Sequence, residues 1–283
     1  MITAERPPAV YVRGLSKTYG QIHAVRELDL DVAYGEVFAI LGPNGAGKST
    51  TIEILEGHRK RDSGDVRVLG EDPGTAGRAW RAKIGIVLQE ASDFGMLTVS
   101  ETMHMFAKCY GKARIPGEVL DLVGLGTVSG SKVRTLSGGQ RRRLDVALGI
   151  IAEPQVLFLD EPTTGFDPEA RRQFWDLIRL LAADGTTILL TTHYLEEAAA
   201  LANRVAVIAD GRLVAVDSPA QLTGYVNSAA TVSWIEGDRV HVEETDHPTE
   251  LIRQRSVDGV ELSQLTVTRP TLEDAYLQLI GRA

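Results

Sequence analysis

Cysteine is nearly absent: one residue, Cys109, in a chain of 283. A lone thiol cannot close an internal disulfide, and neither a structural zinc site nor a redox pair can be built from it. Its simplest role is that of a small apolar residue on a helix. Long apolar runs are absent too. One of the longest, Val146 to Ala152, falls far short of the roughly 18 residues that span a bilayer, so the chain is expected not to cross a membrane alone. Met1 to Val10 carries Glu5, Arg6 and two prolines and lacks the apolar centre of a secretory signal, which argues for a cytoplasmic location. Positive charge is in deficit: 38 acidic against 30 basic side chains give a formal net charge of -8, which repels polyphosphate and disfavours a general nucleic-acid binder. The local exception is Arg141-Arg142-Arg143, which either touches phosphates or, more simply, forms a solvated or partner-facing turn of helix.

What is present is enough apolar material, 43% of residues, to bury a core in one large domain or two modest ones, which excludes disorder of the whole chain. From Val10 to about Val216, short β-branched or apolar runs alternate with helical stretches, the pattern of a largely parallel α/β sheet wrapped by helices. Glu36 to Leu41, Gln155 to Leu159 and Thr186 to Thr191 are continuous apolar or β-branched runs, expected of strands covered on both faces. Val10 to Arg13 and Leu28 to Val32 alternate with a period of two and predict antiparallel strands with one wet face. Between about Glu90 and Ala152 helical periodicity dominates, which predicts a helical insertion. After Asp217-Ser218-Pro219 the composition changes. Strands at Ala230 to Ile235, Arg239 to Val242 and Gly259 to Val267, a helix from Pro248 to Gln254 and a last helix opened by Pro270 predict a separate α+β domain over residues 218–283, leaving 1–217 to the larger one.

Directly after the Phe38 to Leu41 run comes Gly42-Pro43-Asn44-Gly45-Ala46-Gly47-Lys48-Ser49-Thr50, a match to G-x-x-x-x-G-K-[ST] in the required order of strand, loop and helix. The glycines let successive N–H groups turn inward at an anion, and the helix that follows presents its positive end. In that frame Lys48 reaches the β and γ phosphates and Ser49 ligates Mg²⁺. Further on, Leu157-Phe158-Leu159-Asp160-Glu161-Pro162 puts two carboxylates at the C-terminal end of a buried strand, where open α/β sheets hold ligands. Taken alone the pair could simply cap a strand; beside a phosphate loop, Asp160 is placed to hold Mg²⁺ through water and Glu161 to polarise the attacking water as general base.

Leu136-Ser137-Gly138-Gly139-Gln140, ahead of a helix beginning near Arg141, makes the resemblance specific: the chain resembles an ATP-binding cassette (ABC) ATPase. The resemblance implies a phosphate-loop NTPase with a RecA-like core, an antiparallel β subdomain and a helical subdomain at about 90–150. Ser137 and the Gly138 and Gly139 amides form a second phosphate nest at a helix N-terminus. One loop already cradles ATP within the chain, so a second nest points to a second molecule, and the family implies two subunits closing head to tail around two ATP. It further implies that Tyr19 stacks on adenine, the alternative being a core tyrosine. Gln89 would contact Mg²⁺ or water and report nucleotide state, Asp167 would lie in the loop that crosses the dimer interface, and His193 would hold the γ-phosphate. Phe166 stands where the family more often has leucine, an apolar exchange of little consequence.

Within the family, Thr98 to Thr102, Pro162 to Gly165 and Arg269 to Tyr276 are similar to ATP-binding subunits of daunorubicin-resistance-type exporters. Such subunits pair with a separately encoded integral-membrane permease at the inner face of the cell membrane, and their C-terminal extension serves assembly or regulation. The groove near Gln89 and the helix through Thr98 to Tyr110 would receive a cytoplasmic helix of that permease. The competing reading, a non-transport ABC ATPase acting on nucleic acid, the ribosome or a cofactor-assembly scaffold, usually goes with tandem cassettes or long insertions, and this chain has one cassette. A GTPase or kinase sharing only the phosphate loop would leave the second nest unexplained, and no Asn-Lys-x-Asp occurs.

Overall fold

The two period-two segments at the start of the chain do pair with each other, but as longer strands than their alternation marks out. In the computed structural model, which describes residues 7–87, 94–224, 229–237, 239–256 and 261–281, β1 (Val10–Tyr19) and β2 (Ile22–Val32) run antiparallel from Val10↔Val32 to Tyr19↔Ile22. β3 (Val37–Leu41), buried at all five residues, leads into α1 (Lys48–Leu55), and β4 (Ser63–Val68) returns to flank β1 on its other side. Next come α2 (Arg78–Arg81), β5 (Ile84–Val87), and the helices α3 (Val99–Ala107), α4 (Pro116–Leu122) and α5 (Gly138–Ile150) of the expected insertion. Then β6 (Val156–Asp160), α6 (Pro168–Ala183), β7 (Thr187–Thr191), α7 (Leu195–Leu201), β8 (Arg204–Ala209) and β9 (Arg212–Asp217) follow. The second sheet has the order β5-β6-β7-β3-β8-β9, with the pairs β5–β6, β6–β7, β7–β3 and β3–β8 parallel.

One apolar cluster joins the two sheets, uniting Val10, Val12 and Leu30 with Phe38, Ile40, Phe158 and Leu189. Burying a side chain such as Phe38 contributes about 1.5–3 kcal/mol, so this cluster is what fixes the strand ends that carry the functional loops. Trp80 closes it with its indole N–H donating to the Val68 carbonyl at 2.8 Å. Helix α5 is seated on β5 by two glycines: a Cβ at Gly85 would stand 2.3 Å from the Gly149 carbonyl oxygen. Only backbone fits there.

The chain divides into two compact units, Met1–Val216 and Asp217–Ala283. In the second, α8 (Pro219–Thr223), β10 (Ala230–Glu236), β11 (Arg239–Thr245), α9 (Pro248–Arg255), β12 (Ser263–Thr268) and α10 (Leu272–Gly281) form an antiparallel sheet of order β11-β10-β12 with helices. Ala230, Val232 and Trp234 alternate into its core.

Three expectations need correction. Cys109 is exposed, two residues beyond the end of α3, because the helix ends before its position reaches the buried face. Of the strand expected over Gly259 to Val267, Gly259 and Val260 lie outside the described residues and β12 begins at Ser263; the last helix starts at Leu272 under a Thr271–Asp274 cap, so Pro270 precedes the cap instead of sitting in the first turn. Of the arginine triplet, expected as a solvated or partner-facing turn, Arg142 is buried, while Arg141 and Arg143 are half-buried.

Candidate active site

β3 delivers Gly42 to the top of the parallel sheet, and the close fit there explains the glycines. A Cβ at Gly42 would meet the Ile208 carbonyl oxygen at 2.2 Å, and one at Gly47 the Ala24 carbonyl oxygen at 2.2 Å, while Gly47 also has φ 100. Gly47 caps α1 with no side-chain hydrogen bond, so among the described residues the first-turn amides take no partner from the cap. Lys48 folds back over this loop, its Nζ donating to the carbonyls of Gly42 at 2.8 Å and Pro43 at 3.0 Å. Burial lowers its ammonium from the ordinary lysine value, while the nearby charges of Glu161 and Asp160 oppose that fall. Pro43, Asn44, Gly45 and Ser49 are exposed, Ala46 is buried and Thr50 half-buried.

The acids stand level with this loop because β7 lies between their strands: Asp160 pairs with Thr191, and Thr191 with Ile40. The Thr191 hydroxyl donates to Asp160 Oδ1. Glu161 has φ 44, a left-handed backbone that costs a non-glycine residue about 1–3 kcal/mol unless its surroundings hold it. They do. Its N–H donates to Thr191 O at 3.1 Å and to Thr191 Oγ1 at 3.2 Å. The Glu161 carboxylate faces His193, with Oε1 3.5 Å from Nδ1, and accepts from the Thr164 hydroxyl at 3.4 Å. His193 in turn lies against Tyr194, ring centroids 4.1 Å apart, and Arg171 of α6 covers the Tyr194 ring at 4.5 Å. The structure thus gathers Lys48, Asp160, Glu161 and His193 at one edge of the sheet.

The second nest differs. Ser137 caps α5 in a reciprocal box: its hydroxyl accepts from Gln140 N at 3.3 Å, and Gln140 Oε1 accepts from Ser137 N at 3.0 Å. Gly138 and Gly139 form the first turn with no crowding, the nearest atom to a Cβ at Gly139 being 3.9 Å away. One turn on, Arg142 turns inward, with its Nε donating to Pro162 O at 3.1 Å and its Nη2 to Asp160 O at 2.6 Å.

Tyr19 is 38% exposed, which removes the core-tyrosine alternative; Arg59 and Lys17 lie 5.3 and 5.4 Å from its ring centre. Asp167 caps α6, its Oδ1 accepting from Ala170 N at 2.8 Å, and Phe166 packs edge-on against Phe174. Gln89 lies outside the described residues. An open groove is lined by Glu56, His58, Arg81, Ile86, Phe106 and Tyr110. Burial, with Asp160 and Glu53 adding to it, pushes the Glu56 carboxyl up to about 8.

Sequence reasoning missed Thr191, Arg142 and Glu197, a fully buried acid whose Oε1 accepts from Trp175 Nε1 at 3.1 Å. Arg142 was within reach, since it lies four residues before buried Val146 and so shares the inward face of α5.

Residues 25–164 match the ABC transporter family. A daunorubicin resistance ATP-binding protein of Streptomyces coeruleorubidus is 38% identical, over 96% of this chain and 95% of its own. The Nod factor export ATP-binding protein I of Ralstonia nicotianae is 44% identical, over 76% of this chain and 68% of its own. Among solved structures, a dimeric ATP-binding cassette in a post-hydrolysis state, bound to ADP and Pi, is similar with a TM-score of 0.66 at 26% identity, covering 74% of this chain and 98% of that one. The chain belongs to the ABC transporter family, as an ATPase subunit that powers a membrane transporter. The reading on nucleic acid, ribosome or scaffold finds no support in these relatives.

Proposed function

We propose that the chain is the ATP-hydrolysing subunit of an exporter, that it works at the cytoplasmic face of the membrane, and that two copies close head to tail around two ATP. The observation that carries this reading is the uncapped, backbone-lined N-terminus of α1 set level with Asp160, Glu161 and His193. The loop amides and Lys48 bind the phosphates, with Lys48 exchanging its two loop carbonyls for phosphate oxygens. Tyr19 offers its exposed ring to adenine. Ser49 and Asp160 offer the hard oxygen ligands that suit Mg²⁺, and an exposed Ser49 leaves room for it, with Gln89 as the expected third contact. When bound, that ion neutralises the charge of the phosphates.

Glu161 takes the proton of the attacking water, and His193, beside the same carboxylate, holds the γ-phosphate in line. The Ser137–Gly139 nest of one copy meets the phosphates held by the other, and Asp167 crosses between them. No helix among the described residues is long and apolar enough to cross a membrane, so the pathway is assigned to a separately encoded permease, one of whose cytoplasmic helices docks in the groove at Phe106 and Tyr110. The relatives named for daunorubicin resistance and Nod factor export support the outward direction. Residues 218–283 serve assembly or regulation of the complex.

The test is Glu161→Gln: retained ATP binding with hydrolysis reduced at least about 100-fold is expected. Wild-type turnover in this variant would remove Glu161 from the chemistry.

A further inference from the structure

We propose that Arg142 is a positioning residue for Glu161, making the orientation of the general base depend on the placement of the signature helix α5. The inference rests on the reading of Glu161 as base. Two bonds from Arg142 fall on either side of that residue: the guanidinium holds the carbonyl of Asp160 before it, at 2.6 Å, and that of Pro162 after it, at 3.1 Å. Between them Glu161 has φ 44, a conformation that persists only where neighbours over-determine it. β7 holds the N–H of this residue through Thr191, and α5 holds the carbonyls that flank it. A planar fork of donors suits two divergent carbonyls, which a single ammonium cannot reproduce.

Arg142 is 8% exposed, which is unusual for arginine. Burial lowers its guanidinium from the ordinary arginine value, and the acids that face it, Asp145 on its own helix, Asp160 on β6 and Glu197 on α7, oppose that fall. Arg142 also lies five residues from Ser137, in the helix whose N-terminus carries the second nest. A short helix moves as a rigid rod, so a phosphate drawn against Ser137 to Gly139 shifts the two bonds to Asp160 and Pro162. The occupant of the nest then sets the aim of Glu161, and hydrolysis waits for the second copy.

A double-mutant cycle on the full-length chain tests this, using wild type, Arg142→Gln, Glu161→Gln and the double variant, with single-turnover hydrolysis of radiolabelled ATP, ATP affinity and melting temperature measured for each. Arg142→Gln is expected to lower the hydrolysis rate about 10-fold to 100-fold at unchanged ATP affinity, the scale of a slightly misplaced catalytic group. In the Glu161→Gln background the same change should add nothing, because the group it aims is gone. Should Arg142→Gln melt below the assay temperature, Arg142→Lys, which keeps the buried charge, replaces it in the same cycle with a smaller loss expected. Losses that multiply, or full turnover in a folded Arg142 variant, overturn the proposal. Wild-type turnover in Glu161→Gln alone overturns the underlying assignment of the base instead, so the two failures are told apart.

Discussion

Two helices in this chain begin at glycine-rich turns, and they treat their N-terminal amides in opposite ways. α1 starts at Gly47, which has no side chain to offer, in a loop so tight that carbonyl oxygens occupy the space of a Cβ. α5 starts at Ser137, whose hydroxyl and Gln140 satisfy each other's backbone, in open space. On the proposed reading, the first would take an anion within its own chain, its cap offering the amides no side chain. The second is satisfied by its own box and would have to give up a hydrogen bond to accept a ligand. That asymmetry suits a site whose second half is supplied only when another copy arrives.

The contrast can be broken in graded steps. Glu161→Gln has the largest expected effect, a loss of about 10²–10⁴ in turnover with ATP still bound by the α1 loop, read by phosphate release against equilibrium binding. Gly47→Ala comes next: φ 100 alone costs about 1–3 kcal/mol, and the overlap with Ala24 O adds to it, so ATP affinity of the single chain should fall at least about 10-fold. Gly139→Ala has room for its methyl and should leave that affinity and the melting temperature within error, while turnover falls several-fold through impaired pairing. An equal loss of ATP affinity in the two glycine variants would erase the distinction between the nests. Ser137→Ala should cost only about 1 kcal/mol of stability by thermal unfolding, the value of a lost cap.

The far end of α1 supplies an effect that depends on pH. Glu56, beside His58 at 3.3 Å, is buried and favours its neutral form up to about 8 against an ordinary 4.5. A raised carboxyl contributes stability that is complete below the ordinary value and is lost as pH rises through about 8. Glu56→Gln should therefore melt a few degrees above wild type at about pH 9, the difference closing toward about pH 5.

The α1 loop was legible because its chemistry is local: glycines, lysine and hydroxyl sit within nine residues after a buried strand. Asp160 and Glu161 were legible for the same reason, at the end of one apolar run. The signature turn needed its resemblance, yet its box of Ser137 with Gln140 follows the same three-residue rule as Thr98 with Glu101. Arg142 and Glu197 were hidden because a charged residue counts as surface until the partner that holds it is known, and those partners are Asp160, Pro162 and Trp175, far along the chain. Thr191 was seen as a strand residue but not as a ligand of two acids, since strand register is a tertiary fact. In the second unit, Val240 and Val242 alternate like core residues and are exposed, so period two located the strand without fixing its face.

On this reading ATP joins two copies through the unequal nests. The direct measurement is the mass of purified Glu161→Gln in solution by light scattering, with ATP and Mg²⁺ and then with ADP. A dimer with ATP that returns to monomer with ADP is expected; a monomer under both conditions would show that ATP does not join the copies.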